Sequence, residues 1–560
     1  MQKTAFLVFA ALAGTLSPAL AQLGPSDPGA AVLSPGSLTS EPSTMKPPQP
    51  ASKLQELVTG SLSSFVDRKP EQAAAESFYQ ARSYQPIWTG SPEALKRAEG
   101  AIAFLRSVKS EGLEPRDYPT PDLSGNLSEE QAAKAELQLT GSVLRYARHA
   151  SSGRVSYTRV SASILYPDHA ADPAEVLNKV ASAQDMGAVL QSFEPQQPGF
   201  VALKAALAKE LAEPQDDATL ENREAFKKHR GKDADDRSRK HAADTIIANM
   251  ERWRWLPRDL GTTHVIVNVP DFTLGVYKDD ARVWHTKIVV GKPGNLATPL
   301  LSETMKYLTI NPTWNVPPSI IRNEYLPALE RDPGALERIG LRVSNNPDGS
   351  LRVYQPPGER NALGRIRFNF PNQFLVYQHD TPDKKLFARD ARAFSHGCMR
   401  VQDPEKYAEV LLSLSQPEEN FTIARIRSLY GGQERNINLK QPIPVHVTYQ
   451  TAFADEQGQL NFRHDIYGLD AATLKLMRGG ERMIADTPIA RPRNASSKPV
   501  MARLPEREDR EWQGQHENRE QGQYRSGGWF GFGAAEQSYA SSPYRSRALF
   551  RGLNRADGLW

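Results

Sequence analysis

The residues with the most chemical promise lie close together: Tyr377-Gln-His379-Asp380, followed by Phe394-Ser-His-Gly-Cys-Met-Arg400. Cys398 is the only cysteine of the chain, so it cannot close an internal disulfide. A thiol of ordinary acidity is mostly protonated at neutral pH and needs a base or a positive group beside it to attack. His379 and His396 both precede it, and His379 ends a β-rich run, a rigid element from which its ring can reach Cys398 across a loop. Gly397 permits a tight turn just before the cysteine that a β-carbon would obstruct. Such a turn can aim backbone N–H groups at a developing oxyanion. Nucleophile, base and donor-bearing turn are the parts that acyl transfer requires. The same residues admit a zinc reading, with His379, His396 and Cys398 as ligands, although spacing supplies no fourth. Each residue also has a plain structural alternative. Cys398 can be a buried small hydrophobe, and His396 can orient the loop rather than move a proton.

The elements that must hold these groups are legible from periodicity. His264–Val269 alternates, and Leu274–Tyr277 and Val283–Val290 flank the polar turn Lys278-Asp279-Asp280, which predicts successive strands with a hairpin. Further β-rich runs fall at Lys306–Ile310, Leu351–Tyr354, Phe374–His379 and Pro444–Tyr449. A proline-punctuated helical insert at about 317–345 interrupts them and suggests a lid. Residues 246–468 are thus expected to form a mostly β domain carrying the site. Before it, 70–212 reads as a small helical domain: Leu95, Ala98, Ile102 and Leu105 share one face, as do Ala133, Leu137, Leu144 and Ala147. Residues 213–245 read as a charged linker, in which Asp233, Asp235 and Asp236 offset Lys227, Lys228 and Arg230.

The remaining segments read as unstructured or removable. Lys3, the apolar run Thr4–Leu16 and Ala19-Leu20-Ala21 resemble an export signal cleaved after Ala21, with an uncleaved anchor as the alternative. Residues 22–69 form a Pro/Ser-rich tether, and 469–560 a largely disordered tail whose Gly527–Gly533 aromatic cluster could dock elsewhere. No later stretch suits a membrane span, so the mature chain is expected outside the cytoplasm without a transmembrane segment. In an oxidising compartment an idle unpaired thiol is a liability, which favours a working Cys398. The net charge of +4 is too small to imply nucleic-acid binding.

The Ser395-His-Gly-Cys398 core with its upstream histidine resembles the active-site signature of the L,D-transpeptidases of bacterial cell walls. Met250-Glu-Arg-Trp-Arg-Trp-Leu-Pro257, Asn311-Pro-Thr-Trp-Asn-Val-Pro-Pro318, Asn361-Ala-Leu-Gly364 and Phe368-Asn-Phe-Pro-Asn372 resemble its large periplasmic branch. The resemblance implies an α+β multidomain protein: a mainly β, sandwich-like catalytic domain with a lid, preceded by a helical scaffold. It implies Cys398 as nucleophile, His379 as proton donor and acceptor, and the Asp380 backbone carbonyl as orienter of the imidazole. His396 and the Gly397-Cys398 amides would serve the oxyanion, with Tyr377, Trp314, Ser395 and Arg400 as substrate contacts. The implied partners are peptidoglycan peptide stems, a tetrapeptide donor and a diaminopimelate acceptor, and a cell-wall synthesis complex. No metal or cofactor is implied, and carbapenems would acylate the same cysteine.

Two departures stand out. Arg400 occupies a position where the wider family often has asparagine. The short charged segment stands where this branch commonly carries a peptidoglycan-binding module. The same thioester could serve an L,D-carboxypeptidase, D-amino-acid exchange or attachment of a wall protein. A wall-binding scaffold without catalysis is the non-enzymatic alternative.

Overall fold

The computed structural model describes residues 52–212, 232–317, 320–332, 334–345 and 351–479. The export signal, Lys227, Lys228, Arg230 and the aromatic cluster at 527–533 lie outside them, as do most of the tail and parts of the tether, linker and lid.

Helices α1 (Lys53–Ser61), α2 (Lys69–Ala81), α3 (Pro92–Ser107), α4 (Glu129–Ser152), α5 (Tyr157–Val160), α6 (Pro173–Ala181), α7 (Met186–Gln191) and α8 (Pro198–Leu211) build the N-terminal half. The long α4 starts at a reciprocal capping box between Ser128 and Gln131 and buries Ala133, Leu137, Leu144 and Ala147, the expected face. On α3 the stripe is shorter than expected. Ala98, Ile102 and Leu105 turn inward, but Leu95 is 39% exposed, and Ala94 takes the inward position of the first turn. The tether expected over 22–69 ends early. Ser52 caps α1, and Leu54, Val58, Leu62 and Val66, spaced by four, bury one continuous stripe.

Helix α9 (Lys232–Trp255) occupies the end of the expected linker and leads into the β domain. Its last turns form the seam between the two halves. Glu251 accepts from the Val155 amide at 2.6 Å, the Trp255 indole donates to the Val155 carbonyl, and buried Arg254 packs its guanidinium over Phe200.

The β domain comprises β2 (Thr263–Asn268), β3 (Thr273–Lys278), β4 (Ala281–Gly291), β5 (Leu300–Ile310), β9 (Ile366–Asn369), β10 (Gln378–His379), β11 (Ala393–Ser395), β12 (Met399–Val401) and β13 (Arg435–Thr448). Their order is β5-β13-β2-β3-β4-β12-β10-β9, and β9 pairs back to β5, so the sheet closes on itself around an apolar core. The β3–β4 connection is the expected hairpin, with Asp279 and Asp280 both left-handed at φ 50 and 61, as a two-residue turn demands. The short strand β1 (Ile164–Leu165) reaches out of the helical half to pair in parallel with Leu300 and Leu301 of β5. Just beyond it, the Tyr166 hydroxyl donates to the Val447 carbonyl at 2.8 Å.

Between β5 and β9 the chain leaves the sheet. This insert has three strands, β6 (Trp314–Asn315), β7 (Arg342–Asn345) and β8 (Leu351–Gln355), besides helices α10 (Leu326–Arg331) and α11 (Ala335–Arg338). Val316, Ile320, Leu336, Leu341 and Val353 give it a core of its own. It is wider than the expected 317–345, because the run Leu351–Tyr354 pairs with β6 and β7 rather than with the main sheet. Asn361 fastens both roots by donating to the carbonyls of Pro312, Gln355 and Pro356. Helices α12 (Pro404–Ser415), α13 (Ile423–Arg427) and α14 (Leu469–Arg478) complete the described chain. The last lies where tail was expected, held by an Arg252–Asp470 ion pair and buried Met477.

Candidate active site

The site rests on three adjacent strands. In the parallel ladder of β10 with β12, Gln378 lies opposite Met399 and His379 opposite Arg400. In the antiparallel ladder of β10 with β9, His379 lies opposite Arg367. Side chains alternate along a strand, so Gln378 and Met399, both fully buried, face the core. Tyr377, His379, Arg367, Cys398 and Arg400 therefore share the opposite face. Only the last two residues of the expected strand Phe374–His379 are extended. The Asn372 side chain accepts from the Phe374 and Val376 amides and folds the preceding residues into a turn.

His379 is buried, and its Nδ1 lies 2.5 Å from the Asp380 carbonyl. A carbonyl only accepts, so Nδ1 carries the hydrogen and Nε2 is left as the acceptor. Burial, followed by the nearby Arg400, lowers the imidazole to a pKa of about 3, which keeps it neutral at working pH. Asp380 is held in turn: its carboxylate accepts from the Arg365 amide at 2.8 Å, the Thr381 amide at 2.7 Å and the Lys384 ammonium at 2.7 Å.

Cys398 is half-buried. Burial pushes its thiol up to about 11, against the opposing pull of the Tyr377 amide and hydroxyl and the charges of Arg367 and Arg400. The resting pair is thus neutral thiol and neutral imidazole. The Tyr377 phenol is itself a much weaker acid than usual, its pKa raised first by burial and next by the negative charge that Cys398 carries when ionised. The Trp314 indole meets the same hydroxyl, which links the insert, through Tyr377, to the nucleophile.

The loop before Cys398 is tied from within. Ser395 is buried, and its hydroxyl donates to the Cys398 carbonyl at 2.6 Å while accepting from the Gly397 amide at 3.1 Å. The Ser395 hydroxyl and the Gly397 N–H, both expected to face substrate, are thus engaged within the loop itself. The need for glycine at 397 is conformational, with φ +116. A β-carbon there would meet Val376 at 3.6 Å, an ordinary contact. His396 is half-buried within this loop.

Arg367 was missed on sequence. It alternates along Arg365-Ile-Arg-Phe-Asn369, and only the ladder reveals which of its neighbours faces the site. Its guanidinium packs over the Tyr377 ring, and its Nε is buried with no hydrogen-bond partner. Among the described residues, no three His, Cys, Asp or Glu side chains gather as a metal-holding group. No described helix is long and apolar enough to cross a membrane.

Residues 262–424 match the family model of the L,D-transpeptidase catalytic domain, and residues 73–207 match that of a scaffold domain. A curated protein of Haemophilus influenzae, provisionally named an L,D-transpeptidase, is 29% identical over an alignment of 242 residues that covers 40% of this chain. The chain spans about half the length of that relative, 48% of it. Among solved structures, an L,D-transpeptidase of Mycobacterium smegmatis is 14% identical over 33% of this chain and 58% of its own, with a TM-score of 0.18. A mutant L,D-transpeptidase of Enterococcus faecium is 14% identical over 34% and 52%, with a TM-score of 0.15. At those scores neither superposition carries an argument.

Proposed function

We propose, from the premise that this chain carries an L,D-transpeptidase catalytic domain behind a scaffold domain, that it forms 3→3 cross-links between peptidoglycan stems through a thioester on Cys398. The observation that carries this reading is the β10–β12 ladder. It sets a neutral imidazole with a free Nε2 lone pair on the same face as the thiol.

In the first step Nε2 of His379 takes the Cys398 proton as sulfur attacks the donor stem's carbonyl between diaminopimelate and terminal D-Ala. The S–C bond forms, and the carbonyl electron pair moves to oxygen, facing the Cys398 amide. The C–N bond then breaks, and D-Ala leaves with the proton from His379. In the second step the side-chain amine of an acceptor diaminopimelate attacks the thioester. Its proton passes to His379 and on to the departing thiolate, which restores the thiol. Because the thiol rests protonated, proton transfer accompanies attack rather than preceding it. Arg367 and Arg400, on the same face, suit the carboxylates of such stems. An insert rooted at Asn361 and reaching Tyr377 through Trp314 suits the exclusion of water, which competes with the acceptor amine.

The apolar N-terminal run supports export, and the substrate would place the enzyme in the periplasm beside a wall-synthesis complex. Purified protein and a Cys398→Ala variant are incubated with disaccharide-tetrapeptide and the products read by mass spectrometry. A dimer lacking one D-Ala, absent from the variant, is expected. Tripeptide without dimer would make it an L,D-carboxypeptidase, and no cysteine-dependent product would sink the reading.

A further inference from the structure

The oxyanion donor of the proposed reaction belongs to a peptide group that is gripped from its other side. The Gly397 carbonyl and the Cys398 N–H are two ends of one planar unit, so fixing the carbonyl fixes where the N–H points. The Thr298 hydroxyl donates to the Gly397 carbonyl at 2.9 Å. The same oxygen accepts from the Gly291 amide at 2.9 Å, so its single hydrogen is committed to Gly397. Thr298 is buried. Its own amide donates to the Tyr467 hydroxyl at 3.2 Å, and that hydroxyl donates to the Gly291 carbonyl at 2.7 Å. Tyr467 is fixed further back, because its amide donates to the Tyr449 hydroxyl, which donates to Asp465 at 2.7 Å.

We infer that Thr298 and Tyr467 are positioning residues for the oxyanion, aiming the Cys398 N–H by clamping the far end of its peptide. This rests on the acyl-transfer reading. Tyr467 lies beyond residues 262–424, the stretch matched by the catalytic family model, so part of the clamp comes from the following segment. A hydrogen bond to a peptide carbonyl also polarises the group and strengthens its N–H as a donor. The clamp therefore acts where charge develops on oxygen, and hardly at all on steps without an oxyanion.

That distinction supplies the test. Full-length Thr298→Val, Thr298→Ser and Tyr467→Phe variants are compared with wild type in two reactions of Cys398. Acylation by a carbapenem passes through an oxyanion, whereas alkylation by iodoacetamide displaces iodide at carbon and forms none. Thr298→Val should slow acylation roughly ten- to a hundred-fold while alkylation stays within about twofold. Thr298→Ser should restore acylation, and Tyr467→Phe should slow it by a smaller factor. Unchanged acylation in Thr298→Val would overturn the clamp. Equal slowing of both reactions would also overturn it, by reducing Thr298 to a support of the loop. Wild type that is alkylated but never acylated would remove the acyl-transfer reading itself, and the clamp with it.

Discussion

The Asp380 carboxylate fills the space that a side chain at Gly364 would need. A β-carbon built on Gly364 collides with that carboxylate, and the residue also holds φ +61, which disfavours any larger residue. The contact bears on chemistry because the Asp380 carbonyl orients His379.

Gly364→Ala should therefore displace Asp380 and swing the imidazole off line. A misplacement of about 1 Å is worth roughly a hundred-fold in rate. The expected result is a fall in kcat of that order with KM little changed, in a protein whose circular dichroism matches wild type. A kcat within twofold of wild type would show that the Asp380–His379 geometry tolerates the shift.

The thiol's acidity gives a second expectation. With burial holding Cys398 up at about 11, thiolate ultraviolet absorbance and iodoacetamide reactivity should climb through the alkaline range without levelling off near neutrality. Tyr377→Phe removes a hydroxyl that favours thiolate and should move the rise to still higher pH. A plateau below pH 8 would indicate a preformed thiolate–imidazolium pair instead.

Two buried histidines make acid work against the fold. Burial lowers His379 to about 3 and His446 to about 4, while both return to about 6.5 on unfolding. Between those limits the unfolded chain binds more protons, so stability is full above pH 6.5 and falls toward the folded values. Glu194, raised by burial to about 7, acts in the opposite sense, so the histidine contribution is read as a difference: from pH 6.5 to about 4.5, Tm of His446→Gln should lose less than that of wild type. The same pH dependence of Tm in variant and wild type would refute a buried neutral His446.

Within the helical half, Glu136 accepts from the Ile87, Trp88 and Thr89 amides and from the Tyr79 hydroxyl. Burial raises its pKa despite those donors, making it a weaker acid. Glu136→Ala strands several buried donors at once and should cost about 3–5 kcal/mol in urea denaturation. A loss below about 1 kcal/mol would mean that water replaces the carboxylate.

What could be read from sequence divides along physical lines. The strands from His264 to Val290, the insert and the α4 stripe follow from periodicity, because burial on one face leaves a period in the chain. Cys398 and His379 stood out because an unpaired cysteine beside histidines is chemically unusual. Arg367, Thr298 and Tyr467 left no such mark. Arg367 gains its place from a register between three strands, and Thr298 from a hydroxyl meeting a carbonyl that is distant in the chain. The bond from the Gly397 amide to Ser395, two residues away, left no mark either, because spacing cannot foretell a side-chain bond of this kind. Helix α1 was hidden because only its four-residue stripe separates it from the proline-rich stretch before it.

The pairing of Ile164 and Leu165 with Leu300 and Leu301 makes the two halves poor candidates for separation. A fragment cut at the boundaries of the catalytic match would bare the backbone of β5 where β1 now covers it, beside a floor from which Tyr166 and Trp255 had been stripped. Open strand edges next to exposed apolar surface recruit other chains. Such a fragment would be a sticky intermediate rather than a smaller enzyme, and recombinant work on the chemistry should keep the helices attached.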